Sequence, residues 1–261
     1  MDYDFILLLA RQRSGTSALG SIMNKHPDLF YPGEPFHIGH ANKETSFFHF
    51  KEQMIRQDPS AFLPDRDPEL LAKFVGQINQ RYKSTPFLDV KYNQTHFLNG
   101  VSYLPTQQPW IVRHALNSKF PVIHLTRKNQ LKVFVSELRA KLTGIWHAKT
   151  EIKVENDAVE VDTTRLLHHI KTSNEVMKMF DGWMQNRASS FTIDYDHLFG
   201  ANGHLSETAV SGIRRITQLQ NLEALKPEFV KTASNDLSKA IANYDDVVKT
   251  LADTPYAWML D

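Results

Sequence analysis

The chain has 261 residues, long enough to bury one large α/β core without disulfides or a structural metal, and we expect a single domain over residues 1–261. Its 30 lysines and arginines almost balance 29 acidic residues, and the resulting net charge of +1 argues against nucleic acid as a partner. Cysteine is absent, which excludes a disulfide scaffold, a thiol nucleophile and thiolate zinc ligands and makes the cytoplasm the default location.

The N-terminal segment predicts a buried strand, then a loop and a helix. Residues 5–10 form a continuous apolar run, which is typical of a strand buried on both faces of a parallel sheet. The run is too short for a signal peptide or a membrane span, so we expect no transmembrane segment here. Small polar residues fill 11–17, and apolar residues then recur at helical spacing from Ala18 to Met23.

The next region predicts a helix and a second strand behind an irregular segment. Residues 29–63 mix aromatic residues, histidines and turn residues without one period, except for a short helix near 44–57, and we interpret them as site-forming. Asp67-Pro-Glu is a typical start of a helix, and the apolar residues at helical spacing over 70–78 predict that this helix packs on the core. Residues 86–92 then predict a strand.

The rest of the chain alternates predicted strands with predicted helices. The strands are 120–126 and 190–195, the helices are 109–116, 129–142, 163–186 and 206–219, and a helical apolar face at 236–251 closes the chain. Residues 144–161 are polar and predict a loop over a site. Strands separated by helices imply parallel strands joined by crossovers, so the expected fold is an α/β, doubly wound parallel sheet flanked by helices.

The turn after the first strand carries the strongest chemical signal. Gly15 lets the backbone approach a ligand closely, while Ser14, Thr16 and Ser17 add hydroxyl donors at the start of a helix. Such an arrangement cradles phosphate. The turn lacks the first glycine and the lysine of a Walker A loop, which disfavours ATP. The alternative interpretation is a turn that only joins strand to helix.

Two separated motifs resemble the donor site of sulfotransferases that use 3′-phosphoadenosine 5′-phosphosulfate (PAPS). The segment from Arg13 to Ser17 is similar to their 5′-phosphosulfate loop, in which a lysine or arginine stands at the place of Arg13. Residues 122–127 with Ser136 are similar to the strand, arginine and helix serine that hold the 3′-phosphate, and the planar fork of Arg127 suits a phosphate. Taken singly, Arg127 also fits a surface ion pair and Ser136 a neutral helical position.

The resemblance spans most of the chain and is greatest to bacterial carbohydrate sulfotransferases of the trehalose and Nod-factor kind, whose sheet is P-loop-like. It implies that Tyr195, in Asp194-Tyr-Asp-His-Leu198, approaches the adenine, and that Lys231 lies near the donor phosphates. A buried tyrosine and a solvated lysine are the alternatives. The family also implies PAPS as donor, the 3′,5′-bisphosphate PAP as product and no metal, and the histidines of this chain lack metal-ligand spacing.

The acceptor hydroxyl must lose a proton, so a carboxylate or an imidazole is needed near the sulfur. The resemblance favours Glu34, because the bacterial carbohydrate enzymes carry a Gly-Glu segment there whose glutamate serves as the base. The cytosolic enzymes use a histidine, so His37 stays open, as does a structural turn with a solvated carboxylate. Lys91 matches the lysine of a Gly-Phe-Lys segment, although Asp89 replaces the glycine. Lys91 either bonds the sulfonate or the acceptor, or pairs with Asp89 or another carboxylate.

These observations predict a sulfotransferase that moves a sulfuryl group from PAPS to a hydroxyl of a carbohydrate or glycolipid, in line and without a metal. Arg13 and the amides from Gly15 to Ser17 would meet the charge on the leaving phosphate. The alternatives are a P-loop kinase of nucleotides or small molecules and a nucleotide-binding module without activity. Neither the identity of that carbohydrate or glycolipid nor the oligomeric state follows from the sequence.

Overall fold

A computed structural model of the chain describes residues 3–98, 108–146, 158–185, 187–228 and 236–261. The chain divides into two compact units, one of Met1–Thr126 with Gly182–Pro227 and the other of Arg127–Asp181 with Glu228–Asp261. A single domain over residues 1–261 stays a prediction. Among the described helices, none combines the length and the apolar character that a membrane crossing requires.

The first unit is built on a five-stranded sheet in which every neighbouring pair is parallel. Along the sheet the strands run in the order β2-β3-β1-β4-β5, so the chain fills one side of β1 before it fills the other. This confirms the predicted α/β sheet. The strands are β1 Ile6–Ala10, β2 Leu29–Phe30, β3 Thr85–Lys91, β4 Val122–Thr126 and β5 Ser190–Asp194.

The connections between these strands are helical, as the sequence predicts. In the first unit the α-helices are α1 Thr16–Met23, α2 Phe47–Gln57, α3 Asp67–Tyr82, α4 Trp110–Asn117 and α7 Glu207–Thr217. Short 3₁₀ helices follow two of the strands, at Tyr92–Leu98 after β3 and at Tyr195–His197 after β5. Predicted and observed boundaries differ by up to three residues, and β2, with only two residues, was missed inside the irregular segment 29–63.

The core explains why β1 is apolar throughout. Ile6, Leu8 and Ala10 face one side of the sheet, where they pack in a cluster with residues of α1 and α7. Leu7 and Leu9 point to the opposite face and are buried as well. A strand with both faces covered has no polar side, so its sequence shows no alternation.

The strand register brings the loops that carry chemistry to one edge of the sheet. The last residue of β1, Ala10, pairs with Lys91 at the end of β3 and with Leu125 near the end of β4. Thr126 pairs in turn with Asp194, the last residue of β5. Because all the strands are parallel, these are carboxyl ends, where ligands bind in open α/β sheets.

The second unit has a separate apolar core. Its helices are α5 Gln130–Thr143, all but the last three residues of α6 Thr163–Met184, α8 Leu237–Ala240 and α9 Tyr244–Ala252. The prediction of one continuous helix over 236–251 is wrong, because this segment forms two helices, α8 and α9. The chain leaves the helix at Ile241, which forms a β-bridge with Val159, and Asn243 both donates to and accepts from the backbone of Val161, each at 2.9 Å. The predicted loop 144–161 is described only at its two ends.

Candidate active site

The turn between β1 and α1 has the backbone geometry of an anion-binding loop. Arg13 and Gly15 both adopt left-handed conformations, with φ of 64° and 87°. Left-handed residues at alternate positions turn the backbone N–H groups of the loop toward one side of the chain. Ser14 and Thr16 are buried in the loop, and α1 begins directly after Gly15 without a side-chain cap or an acidic residue in its first turn. The start of α1 therefore presents its positive dipole end to a ligand.

Tyr195 packs directly against this loop. A Cβ atom placed on Gly15 would lie 2.3 Å from Cε2 and 2.4 Å from Cδ2 of the Tyr195 ring. The ring is itself held edge-to-face by Phe199, with 6.0 Å between the centroids. Gly15 is thus required both for its backbone conformation and for the space that Tyr195 occupies.

Lys91 connects the anion-binding loop to the residue predicted to be the base. Its Nζ donates to Oγ1 of Thr16 at 2.9 Å and pairs with Oε1 of Glu34 at 3.1 Å and Oδ1 of Asp89 at 2.5 Å. The Lys91 side chain is 2 % exposed, so these contacts form away from bulk water. A buried ammonium needs such partners, because leaving it alone in the interior costs several kcal/mol.

Glu34 lies at the accessible side of this network. Its carboxylate accepts a hydrogen bond from Nε2 of Gln94 at 2.7 Å, and the Gln94 side-chain oxygen accepts from the Lys91 backbone N–H at 3.0 Å. Burial raises the pKa of Glu34, but the Lys91 ammonium and the Gln94 hydrogen bond outweigh it, and the pKa is lowered from its ordinary value. Glu34 is therefore ionised at neutral pH, as a general base must be.

Asp89 is the second carboxylate on Lys91 and is fully buried. Its other oxygen accepts a hydrogen bond from the Tyr31 hydroxyl at 3.0 Å. Burial raises the pKa of Asp89 above the ordinary range, against the opposing effect of Lys91, and burial also raises the pKa of Tyr31. The sequence showed Asp89 as a departure from a pattern and as one alternative partner of Lys91, and it carried no signal for Tyr31 or Gln94.

His37 lies close to Glu34 in the chain but outside the hydrogen bonds of Lys91. Its backbone N–H donates to the Glu34 carbonyl at 3.2 Å, and its ring lies against that of His40, with 4.6 Å between centroids. Burial, Lys43 and His37 lower the pKa of His40, which favours its neutral form. Glu34 has a direct contact with Lys91, whereas His37 contacts the Glu34 backbone and His40 and helps to lower the pKa of the Glu34 carboxyl.

The remaining predicted donor residues are distributed between the units. Ser17 lies in the first turn of α1, and Arg127 and Ser136 are buried residues of the second unit. Arg127 follows β4 directly in the chain and Ser136 lies within α5. Lys231 lies outside the described residues. The structure thus brings together Arg13 to Ser17, Tyr195, Lys91 and Glu34, all within the first unit.

Comparison with known proteins decides the family. A family model described as Stf0 sulphotransferase matches residues 6–245 of the chain. The chain belongs to the Stf0 sulphotransferase family. Among solved structures it is similar to the sulfotransferase domain of the Synechococcus PCC 7002 olefin synthase, at 14 % sequence identity over 96 % of this chain and 95 % of that one, with a TM-score of 0.37. No curated protein matches the chain.

Membership of the Stf0 family confirms the coarser part of the prediction, a transferase of the sulfotransferase class. The family match begins at the first residue of β1 and therefore includes the anion-binding loop, Glu34 and Lys91. Within the described ranges, no group of three or more histidine, aspartate or glutamate side chains is arranged to hold a metal ion.

Proposed function

We propose that this Stf0 sulphotransferase transfers a sulfuryl group from PAPS to a hydroxyl of a carbohydrate or glycolipid acceptor, in line and without a metal. The observation that carries the proposal is the position of Lys91, whose ammonium touches both Thr16 of the anion-binding loop and Glu34. One cation thus joins the place where a sulfonate would bind to the place where an acceptor would lose its proton. A cytoplasmic location also stays part of this proposal.

The loop geometry fits the 5′ end of the proposed donor. Arg13, Ser14, Gly15, Thr16 and Ser17 would hold the 5′-phosphosulfate, because they combine a left-handed turn, a helix start and a guanidinium. Tyr195, packed on Gly15, presents an aromatic ring next to that loop, which supports a contact with adenine.

The 3′-phosphate would be held by Arg127 and Ser136, with Lys231 near the donor phosphates. Arg127 follows the carboxyl end of β4, the edge of the sheet at which the anion-binding loop also begins. A guanidinium binds phosphate through two parallel hydrogen bonds, which a lysine at the same place would not provide.

When bound, the donor supplies a sulfuryl group attached to a phosphate leaving group. The chain contributes the electrostatics of the transfer, in which negative charge grows on the bridging oxygen of that phosphate. Arg13 and the amides from Gly15 to Ser17 meet this charge. A preorganised donor of this kind is worth roughly 3 kcal/mol, or about a hundredfold in rate.

Glu34 takes the proton of the acceptor hydroxyl in this proposal. Its carboxylate is partly exposed, with 19 % of the side chain accessible, while Lys91 and Asp89 behind it are closed to solvent. An acceptor can therefore reach Glu34 but not Asp89. His37 remains the alternative base, and the contact of Glu34 with Lys91 supports Glu34.

Two other functions were compatible with the sequence. Membership of the sulphotransferase family supports sulfuryl transfer over a P-loop kinase. Lys91 reaches the loop from β3, whereas the lysine of a Walker A kinase stands within the loop itself. A nucleotide-binding module without activity would bind the bisphosphate but transfer nothing.

A thermal-shift experiment tests the donor. A ligand that binds only the folded state stabilises it by about 2.7 kcal/mol at a hundredfold excess over its dissociation constant. Adenosine 3′,5′-bisphosphate should raise the melting temperature, and ATP with Mg²⁺ should not. The reverse pattern would overturn the assignment of the donor and favour the kinase.

A further inference from the structure

One face of β3 passes from the apolar core into the site. Side chains alternate along a strand, so Phe87, Asp89 and Lys91 point to the same side of the sheet. Phe87 packs in the core beside Tyr31, and Lys91 reaches Thr16 at the start of α1. Asp89 lies between them, a fully buried carboxylate where an apolar side chain would continue the core.

Burying the Asp89 carboxylate costs free energy that an apolar side chain at the same position would not cost. An uncompensated carboxylate in the interior loses several kcal/mol of hydration, and apolar residues often replace buried ion pairs without loss of stability. Both oxygens of Asp89 are nevertheless occupied, one by Lys91 and the other by Tyr31. These two hydrogen bonds fix the orientation of the Asp89 carboxylate as well as compensating its charge.

Tyr31 is itself held in place by α1. A Cβ atom on Gly20 would lie 2.3 Å from the Tyr31 ring, so the glycine at this buried helical position makes room for the ring. The Tyr31 backbone N–H donates to Oδ1 of Asn24 at 2.8 Å, just beyond the end of the helix. The hydroxyl that orients Asp89 thus rests on the same helix whose first residue contacts Lys91.

We propose that Asp89 is a positioning residue of the transfer reaction, which holds the Lys91 ammonium at the start of α1 and within reach of Glu34. This inference rests on the proposed function. Lys91 has a flexible four-carbon stem and three donors, and three acceptors fix it here: Thr16, Glu34 and Asp89.

Nitrogen NMR of the Lys91 ammonium in the whole chain tests the inference without donor or acceptor. Lysine is labelled with ¹⁵N at Nζ, and Lys91→Arg identifies the Lys91 signal by its loss. In Asp89→Asn the amide oxygen can still accept from Lys91 but the charge is gone, so the ammonium protons should exchange with water faster than in the unaltered chain. The matched control is Asp67→Asn, because Asp67 is also a buried partner of a lysine, with Lys51 Nζ at 2.5 Å.

The proposal is overturned if the Lys91 ammonium protons exchange no faster in Asp89→Asn than in the control. Should Asp89→Asn fail to fold, Tyr31→Phe decides by the same ¹⁵Nζ signal, because it removes the hydroxyl that orients Asp89. Faster proton exchange of that signal in Tyr31→Phe supports the positioning role, and an unchanged signal contradicts it. Adenosine 3′,5′-bisphosphate binding by the unaltered chain is measured separately, so a failure of the donor proposal is distinguishable.

Discussion

Replacement of Gly15 by alanine tests whether the anion-binding loop and Tyr195 form one unit. The new Cβ would stand 2.3 Å from the Tyr195 ring, whereas ordinary contacts begin at 3.4 Å, so the ring or the loop must move by about an ångström. The φ of 87° adds the cost of a left-handed alanine, about 1 to 2 kcal/mol. Overpacking adds typically 1 to 3 kcal/mol.

Gly203→Ala provides a matched control for this variant. Gly203 also has a left-handed conformation, with φ of 77°, but a Cβ there meets nothing within 4 Å. Both variants remove the freedom of a glycine from the unfolded chain, so that effect cancels when they are compared. The difference between them isolates the collision with Tyr195, and we expect Gly15→Ala to be less stable by about 1 to 3 kcal/mol.

Hydrogen exchange of the β1 amides measures this difference within the first unit, because the core of a unit exchanges through its larger opening reactions. A second measurement, the thermal shift with adenosine 3′,5′-bisphosphate, should be strongly reduced in Gly15→Ala and unchanged in Gly203→Ala. Equal stability of the two variants would refute the close packing of Tyr195. Equal bisphosphate shifts would refute the role of the loop in donor binding.

Three further predictions concern the proposed chemistry. Glu34→Gln should leave the bisphosphate shift intact and reduce transfer to background in a sulfate-donor assay; retained turnover would move the base elsewhere. Arg127→Ala should weaken the bisphosphate shift strongly, and Lys128→Ala, which changes the next residue, serves as its control; equal shifts would remove Arg127 from the site. The pKa of Glu34 lies below its ordinary value of 4.5, so its contribution to folding stability is present above that pH and is lost as the pH falls through the lowered pKa. An acid titration should accordingly show a steeper loss of stability in the unaltered chain than in Glu34→Gln, and parallel curves would contradict the pKa direction.

The sequence predicted the elements whose signal is local. Three elements carry their signal within a few residues, and the structure contains all three. They are the apolar run of β1, the small polar turn after it and the apolar stripe of α3. β2 was missed because two residues in a segment without periodicity carry no pattern of their own. Its pairing with β3 is what makes it a strand.

Errors and omissions arose where contacts are distant in the chain. The helical face at 236–251 is interrupted because Ile241 pairs with Val159, and apolar spacing cannot reveal such a bridge. In the site, the resemblance drew attention to Glu34 and Lys91 separately. The parallel sheet places the end of β3 next to the end of β1, which brings Lys91 to Thr16. Lys91 also meets Glu34, which follows β2, the strand on the other side of β3.

Transfer of labelled sulfate from PAPS is the most direct test of the central claim. The unaltered chain and Glu34→Gln are incubated without added metal with ³⁵S-labelled PAPS and a panel of glycans and glycolipids that carry free hydroxyls. We predict label on at least one acceptor with the unaltered chain and none with Glu34→Gln. Binding of adenosine 3′,5′-bisphosphate without transfer to any member of the panel, or equal transfer by both proteins, would contradict the account.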